Sequence, residues 1–141
     1  MKPSVYSQND LEGIIRKNKF DVLQILKEMN GEDSLELVYE TKKTCDISYA
    51  GTMVLAKQKG IKAEGVFLGK TSARIVSLAK AQNPKTKITQ FGAASYPITM
   101  RFSDNVIRHI VERLALRNAI KKVTPLPEVL AFVYKARSEG Q

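Results

Sequence analysis

The stretch IKAEGVFLGKTSARIVSLAKAQNPKTKITQFGAA, residues 61–94, decides how the chain folds. It divides into three strand-like runs, residues 61–68, 71–82 and 87–92, separated by Gly69-Lys70 and by Asn83-Pro84-Lys85. Glycine and Asn-Pro punctuation between β-prone runs marks turns. Three sequential strands on short connections predict an antiparallel meander. In the longest run Arg74, Val76, Leu78 and Lys80 share one face, and Ala73, Ile75, Ser77, Ala79 and Ala81 share the other, because strand side chains alternate. The second face is small enough to admit a closely packed helix.

Helical patterns flank the meander. In SQNDLEGIIRKNKFDVLQILKEMNG, residues 7–31, Leu11, Ile14, Ile15, Val22, Ile25, Leu26 and Met29 recur at three- and four-residue spacing, the period of a helix. Ser7 or Asn9 can cap it, Asn30-Gly31 stops it, and Gly13 with the KNK run can divide it in two. SLELVYE, residues 34–40, alternates like a strand. Asp46 or Ser48 opens the next helix, which ends near Lys59 and Gly60. The last long helix runs from about Ser103 to Val123, where Thr124-Pro125 and Pro127 stop it.

On that long helix Ile107, Ile110, Val111 and Leu114 form a core face, and Arg113, Arg117 and Lys121 make a basic stripe beside it at i, i+4, i+8. Leu116, Ala119, Ile120 and Val123 fall opposite, so a second apolar face needs cover from a final helix, residues 128–137, or from a neighbouring subunit. The expected fold class is α+β: an antiparallel β-meander of three to four strands, helices packed on one face, and the long C-terminal helix crossing the sheet. A chain of 141 residues fits a single domain, burying roughly 68% of its unfolded surface.

Charge is distributed unevenly. Residues 1–40 carry 5 basic and 8 acidic side chains, residues 41–100 carry 10 and 2, and residues 101–141 carry 8 and 4, for balances of −3, +8 and +4 and the net +9. Residues 65–103 hold no acid, yet contain Lys70, Arg74, Lys80, Lys85, Lys87 and Arg101. Such an imbalance concentrates polyanions, nucleic acid above all. A basic surface kept only for solubility would intersperse both signs.

Enzyme classes find little support. One histidine, His109, sits mid-helix without an evident partner, and the one cysteine, Cys45, stands at a hydrophobic helix start. There is no GxxxxGK[ST] loop, no HExxH and no strand-linked GxGxxG. No catalytic residue, cofactor or metal is therefore expected. A lone cysteine, no signal-like leader and no long apolar run predict an intracellular, cytoplasmic protein that does not contact membrane.

The basic central region is interleaved with Tyr49, Phe67, Phe91, Tyr96 and Phe102. Cations that meet phosphates together with aromatics that stack on bases are what a single strand requires. Tyr49 and Tyr96, beside turns, are the aromatics expected to touch bases.

The run CDISYAGTMVLAKQKG (45–60), the strands closing on FGAA (91–94), and NVIRHIVERLALRNAIKKV (105–123) follow one another in an order that resembles the single-strand annealing proteins. That family comprises the eukaryotic recombination mediator that anneals complementary strands and its phage and archaeal relatives. The resemblance covers about residues 44–123, between an N-terminal helical segment at 8–30 and the short final helix. It implies that basic residues late in the long helix, Arg117 and Lys121, hold the DNA backbone. It also implies a contact from the loop before the Tyr-x-Gly helix, where Lys42 and Lys43 lie.

The expected function is single-stranded DNA binding with little sequence preference, with strand annealing in recombination, repair or replication as an added activity. The interface would comprise Lys42, Lys43, Tyr49, Arg74, Lys80, Arg113, Arg117 and Lys121, with DNA preferred over RNA and a homo-oligomer as the assembly. An RNA-binding module and a non-enzymatic assembly module are the alternatives.

Overall fold

A computed structural model describes residues 19–31, 36–40 and 45–139. Among them lie four helices and five strands: α1 (Lys19–Met29), β1 (Val38–Glu40), β2 (Cys45–Ile47), α2 (Tyr49–Lys59), β3 (Lys62–Lys70), β4 (Arg74–Asn83), β5 (Ile88–Pro97), α3 (Asp104–Val123) and α4 (Leu126–Ser138). The fold is α+β. β3, β4 and β5 form an antiparallel three-stranded sheet in sequence order, and β1 pairs with β2 in a separate two-stranded ribbon. Of the strand read at residues 34–40, Val38–Glu40 forms β1 and pairs with β2 rather than extending the meander, while residues 34 and 35 lie outside the described residues.

The hairpin between β3 and β4 turns later than Gly69-Lys70. Both residues remain in β3, and Thr71 makes the turn: its backbone N–H donates to the Arg74 carbonyl, and its Oγ1 accepts from Ala73 and Arg74 at 3.2 and 2.9 Å. A threonine hydroxyl that bonds nearby backbone N–H groups substitutes for a glycine turn. A bulge between Gly65 and Phe67 shifts the β3 register. At the second hairpin Lys87 adopts a left-handed φ of 61°. Asn83 fixes that corner twice, accepting from Lys85 N–H at 3.0 Å and donating from Nδ2 to the Val123 carbonyl at 2.9 Å.

The inner face of the meander carries Ile75, Ser77, Ala79 and Ala81, each no more than 1% exposed, with α3 packed across it. Small side chains let the helix sit close to the backbone. At Gly92 the approach leaves no room for a methyl group: a Cβ there would strike the Ala119 nitrogen and the Ala115 carbonyl oxygen of α3. Ser103 caps α3 by accepting from Val106 N–H, and at its other end Thr124 Oγ1 donates to the Ile120 carbonyl.

Ile107, Ile110, Val111 and Leu114 are fully buried, and so are Ala119 and Ile120 on the second apolar side. Cover for that side comes from one continuous core that joins the sheet to Val22 and Ile25 of α1 and Ala56 of α2. The final helix goes elsewhere: Val129, Val133 and Ala136 pack with Val38, Ile47 and Leu55 in a second cluster. Ser48 caps α2 by accepting from Gly51 N–H, and Gly60, at φ 68°, closes it. Asp46, the other candidate opener, belongs to β2.

Candidate nucleic-acid interface

The stripe on α3 faces inward and meets the acidic N-terminal part of the chain. Arg117 is only 4% exposed. Its Nε lies 2.8 Å from Asp21 Oδ2 of α1. The Nε–H itself points to the Ile47 carbonyl, which also accepts from Nη2 at 2.9 Å, so the contact with Asp21 is coulombic rather than an aligned hydrogen bond. Nη2 also reaches Asp46 Oδ2 at 3.2 Å. One turn on, Lys121 Nζ donates to both oxygens of Asp46 at 2.9 and 2.8 Å. One turn back, Arg113 pairs with Glu28 at 3.3 Å, bonds His109 Nδ1 at 3.1 Å and lies over the Tyr49 ring at 6.0 Å.

Each cation of the stripe thus has a carboxylate from α1 or β2 against it. Arg117, which the resemblance implies holds the DNA backbone, is buried in this seam. A guanidinium that is 4% exposed and shared among Asp21, Asp46 and the Ile47 carbonyl ties α3 to α1 and β2. The titration of the seam follows from its burial. Burial pushes the Asp21 carboxyl above its ordinary value, opposed by the Arg117 charge and by the Tyr49 N–H it accepts at 2.5 Å. Burial also works against the charged form of Asp46, but the Lys121 hydrogen bond and charge outweigh it and hold that carboxyl low. Lys121 is lowered by burial and by Arg117 beside it.

Tyr49 is half-buried at the start of α2, with burial raising its hydroxyl pKa. Tyr96 packs against the main core, 6.1 Å from Phe102. Both tyrosines therefore belong to the helical side of the molecule. Lys42 and Lys43 lie outside the described residues.

Arg74 and Lys80 are brought together on the opposite, outer face of the meander. No described helix packs there. Strand register lays that face out as a grid. Phe67, Leu78 and Ala93 stand side by side in one row; Glu64, Lys80 and Phe91 form the next; Lys62, Gln82 and Thr89 form the third. Phe67 and Phe91, half-buried, close over Leu78 and Ala93, which are sealed from solvent. Toward the other end Arg74 Nη1 donates to Ser95 Oγ at 3.2 Å. Sequence reading placed Arg74 and Lys80 on one face, but it set Tyr49 and Tyr96, rather than Phe67 and Phe91, as the aromatics of the interface. The signal that finds the two phenylalanines is cross-strand register, which periodicity within one strand does not supply.

Two other features are notable. A groove of about 550 Å³ between α2 and α4 is lined by Val54, Leu55, Phe132 and Ala136 among others. On α4, Leu126, Leu130 and Tyr134 recur at i, i+4, i+8 and are 66%, 56% and 76% exposed. Among the described residues no cluster of His, Cys, Asp or Glu could hold a metal ion, and no helix is long and apolar enough to cross a membrane. No protein-family model matches the chain, and no curated protein matches it.

Proposed function

We propose that the protein is a non-enzymatic binder of single-stranded nucleic acid that uses the outer face of the meander. The observation that carries the reading is the pair Phe67 and Phe91, set over Leu78 and flanked by Lys62, Lys80 and Arg74 on a sheet face where no described helix packs. Aromatic rings on a sheet offer stacking to bases of any sequence, worth about 1–3 kcal/mol per base, and nearby cations meet the backbone. A duplex keeps its bases stacked inside and cannot use the rings. DNA in preference to RNA, with strand annealing in recombination or repair, is what the resemblance to the annealing family adds. A cytoplasmic setting fits the same reading.

The test is fluorescence anisotropy of a labelled DNA strand of about 25 nucleotides, its duplex and the matching RNA, over a salt series. Tight single-strand binding that weakens steeply with salt, with the duplex much poorer, is the expected result. Equal and weak binding to strand and duplex would reduce the charge to nonspecific attraction, and displacement by RNA at equal concentration would favour an RNA-binding module.

One observation favours a second reading, an assembly module. The exposed stripe Leu126, Leu130 and Tyr134 is a surface that a second copy could cover, in line with the homo-oligomer expected from sequence. Sizing by light scattering at high salt, with Leu130→Glu as the comparison, tests it. A single mass for both chains, equal to the monomer, removes it.

A further inference from the structure

Resting on that reading of the outer face, we propose that its end holds a base-edge site selective for guanine, built from Glu64 and Lys80 beside Phe91. Glu64 is the only acidic residue between Asp46 and Asp104. In a surface that attracts phosphate, a lone carboxylate opposes the main attraction. Its position is specific: Glu64 stands directly opposite Lys80, and Lys80 directly opposite Phe91 on the other side. Glu64 and Lys80, with Lys62, Ala63 and Gln82, line a polar recess of about 190 Å³, and Phe91 stands on the far side of Lys80 from Glu64. Cross-strand Glu–Lys neighbours commonly pair with each other, but among the described residues Glu64 and Lys80 form no ion pair, which leaves both groups available to a ligand.

The chemistry of the recess selects among bases. A carboxylate accepts two hydrogen bonds side by side, and an ammonium donates. Guanine alone among the four bases has two adjacent N–H donors, at N1 and N2, next to an acceptor, O6. A guanine stacked on Phe91 would give N1–H and N2–H to Glu64 and receive Lys80 at O6. Every other base brings an acceptor against the carboxylate or leaves one of its oxygens unmet. Single strands are read on such edges because their bases can be splayed out. Such a site adds preference at one position to a surface otherwise expected to show little sequence preference.

The test compares anisotropy of oligo-dT with alternating dT/dG, dT/dA and dT/dC strands of equal length, for the unaltered chain and for Glu64→Gln. The dT/dG strand should bind about fivefold or more tightly than the others, the low end of what a bidentate base contact discriminates. Glu64→Gln should lose that excess while binding oligo-dT more tightly, because a like charge has left the phosphate surface. Equal affinities for all four strands, or an excess that survives Glu64→Gln, overturns the inference while leaving single-strand binding intact. Failure of oligo-dT and of every mixed strand to bind overturns both.

Discussion

Arg117 Nε and Asp21 Oδ2 lie 2.8 Å apart with the two side chains 4% and 0% exposed, which makes this pair the most deeply placed charge contact among the described residues. It joins helices 96 residues apart in sequence, 117 minus 21. Removing one partner of a buried pair strands the other charge, at a cost of about 3–5 kcal/mol. Arg117→Met should therefore destabilise by about that amount. Adding Asp21→Asn, which keeps an acceptor for Tyr49 N–H, should recover much of it. Urea unfolding of both singles and the double closes the cycle. Strictly additive losses would mean that the two residues act independently.

The same pair separates fold from function. The double variant, with its stability largely restored, should bind a single strand as the unaltered chain does, because Arg117 faces Asp21 and Asp46 and not solvent. A large loss of affinity in a stable double variant would return Arg117 to the interface.

The seam also sets an acid response with two opposing contributions. Asp46 has a folded pKa below its ordinary 3.8, so the stability it lends is complete above that value and is lost as pH falls through the lower, folded one. Asp21 runs the other way. Its folded pKa is raised, so the folded state takes up the proton first and stability rises as pH falls from that raised value toward 3.8. Thermal melts against pH should show Asp46→Asn flattening the decline below about pH 4, and Asp21→Asn removing the rise above it. An unchanged acid limb in Asp46→Asn would mean that other carboxylates govern it.

Close packing of α3 on β5 yields a prediction with an internal control. Gly92→Ala places a methyl group on the α3 backbone, and backbone cannot rotate away, so a loss of at least about 1–3 kcal/mol is expected. Gly65→Ala, in the same sheet, meets nothing within 4 Å and should be close to neutral. Comparable losses at both sites would trace the effect to strand conformation instead of helix contact.

Much of this architecture was legible because its determinants are local. Ser48 and Ser103 announce their helices as caps, Gly60 ends one, and the alternating small residues Ser77, Ala79 and Ala81 of β4 announce a close helix. What sequence left hidden depends on residues brought together from far apart. The −3 balance of residues 1–40 was visible, but nothing local says that Asp21 and Glu28 would cover Arg117 and Arg113. A helical wheel gives the stripe a direction without naming what lies there. Phe67 and Phe91 likewise sit 24 residues apart and become neighbours of Leu78 only through two registers and a bulge. The turn at Thr71 escaped because a side-chain hydroxyl, and not a glycine, makes it.

The outer face can be separated from the seam by combining a charge deletion with a ring deletion. Lys80→Ala removes one cation from the proposed interface, and each phosphate contact in a single strand contributes about 0.7 to the slope of log affinity against log salt. The slope should fall by about that much. Phe91→Leu keeps an apolar cover over Leu78 and costs under about 1.5 kcal/mol of stability, but it removes the stacking surface. Its affinity should drop by about 1–3 kcal/mol with the salt slope unchanged, since a neutral ring releases no counterions. Lys121→Ala, at the seam with Asp46, should lower stability and leave the slope alone. A slope that falls with Lys121→Ala and holds with Lys80→Ala would move the interface from the sheet to the long helix.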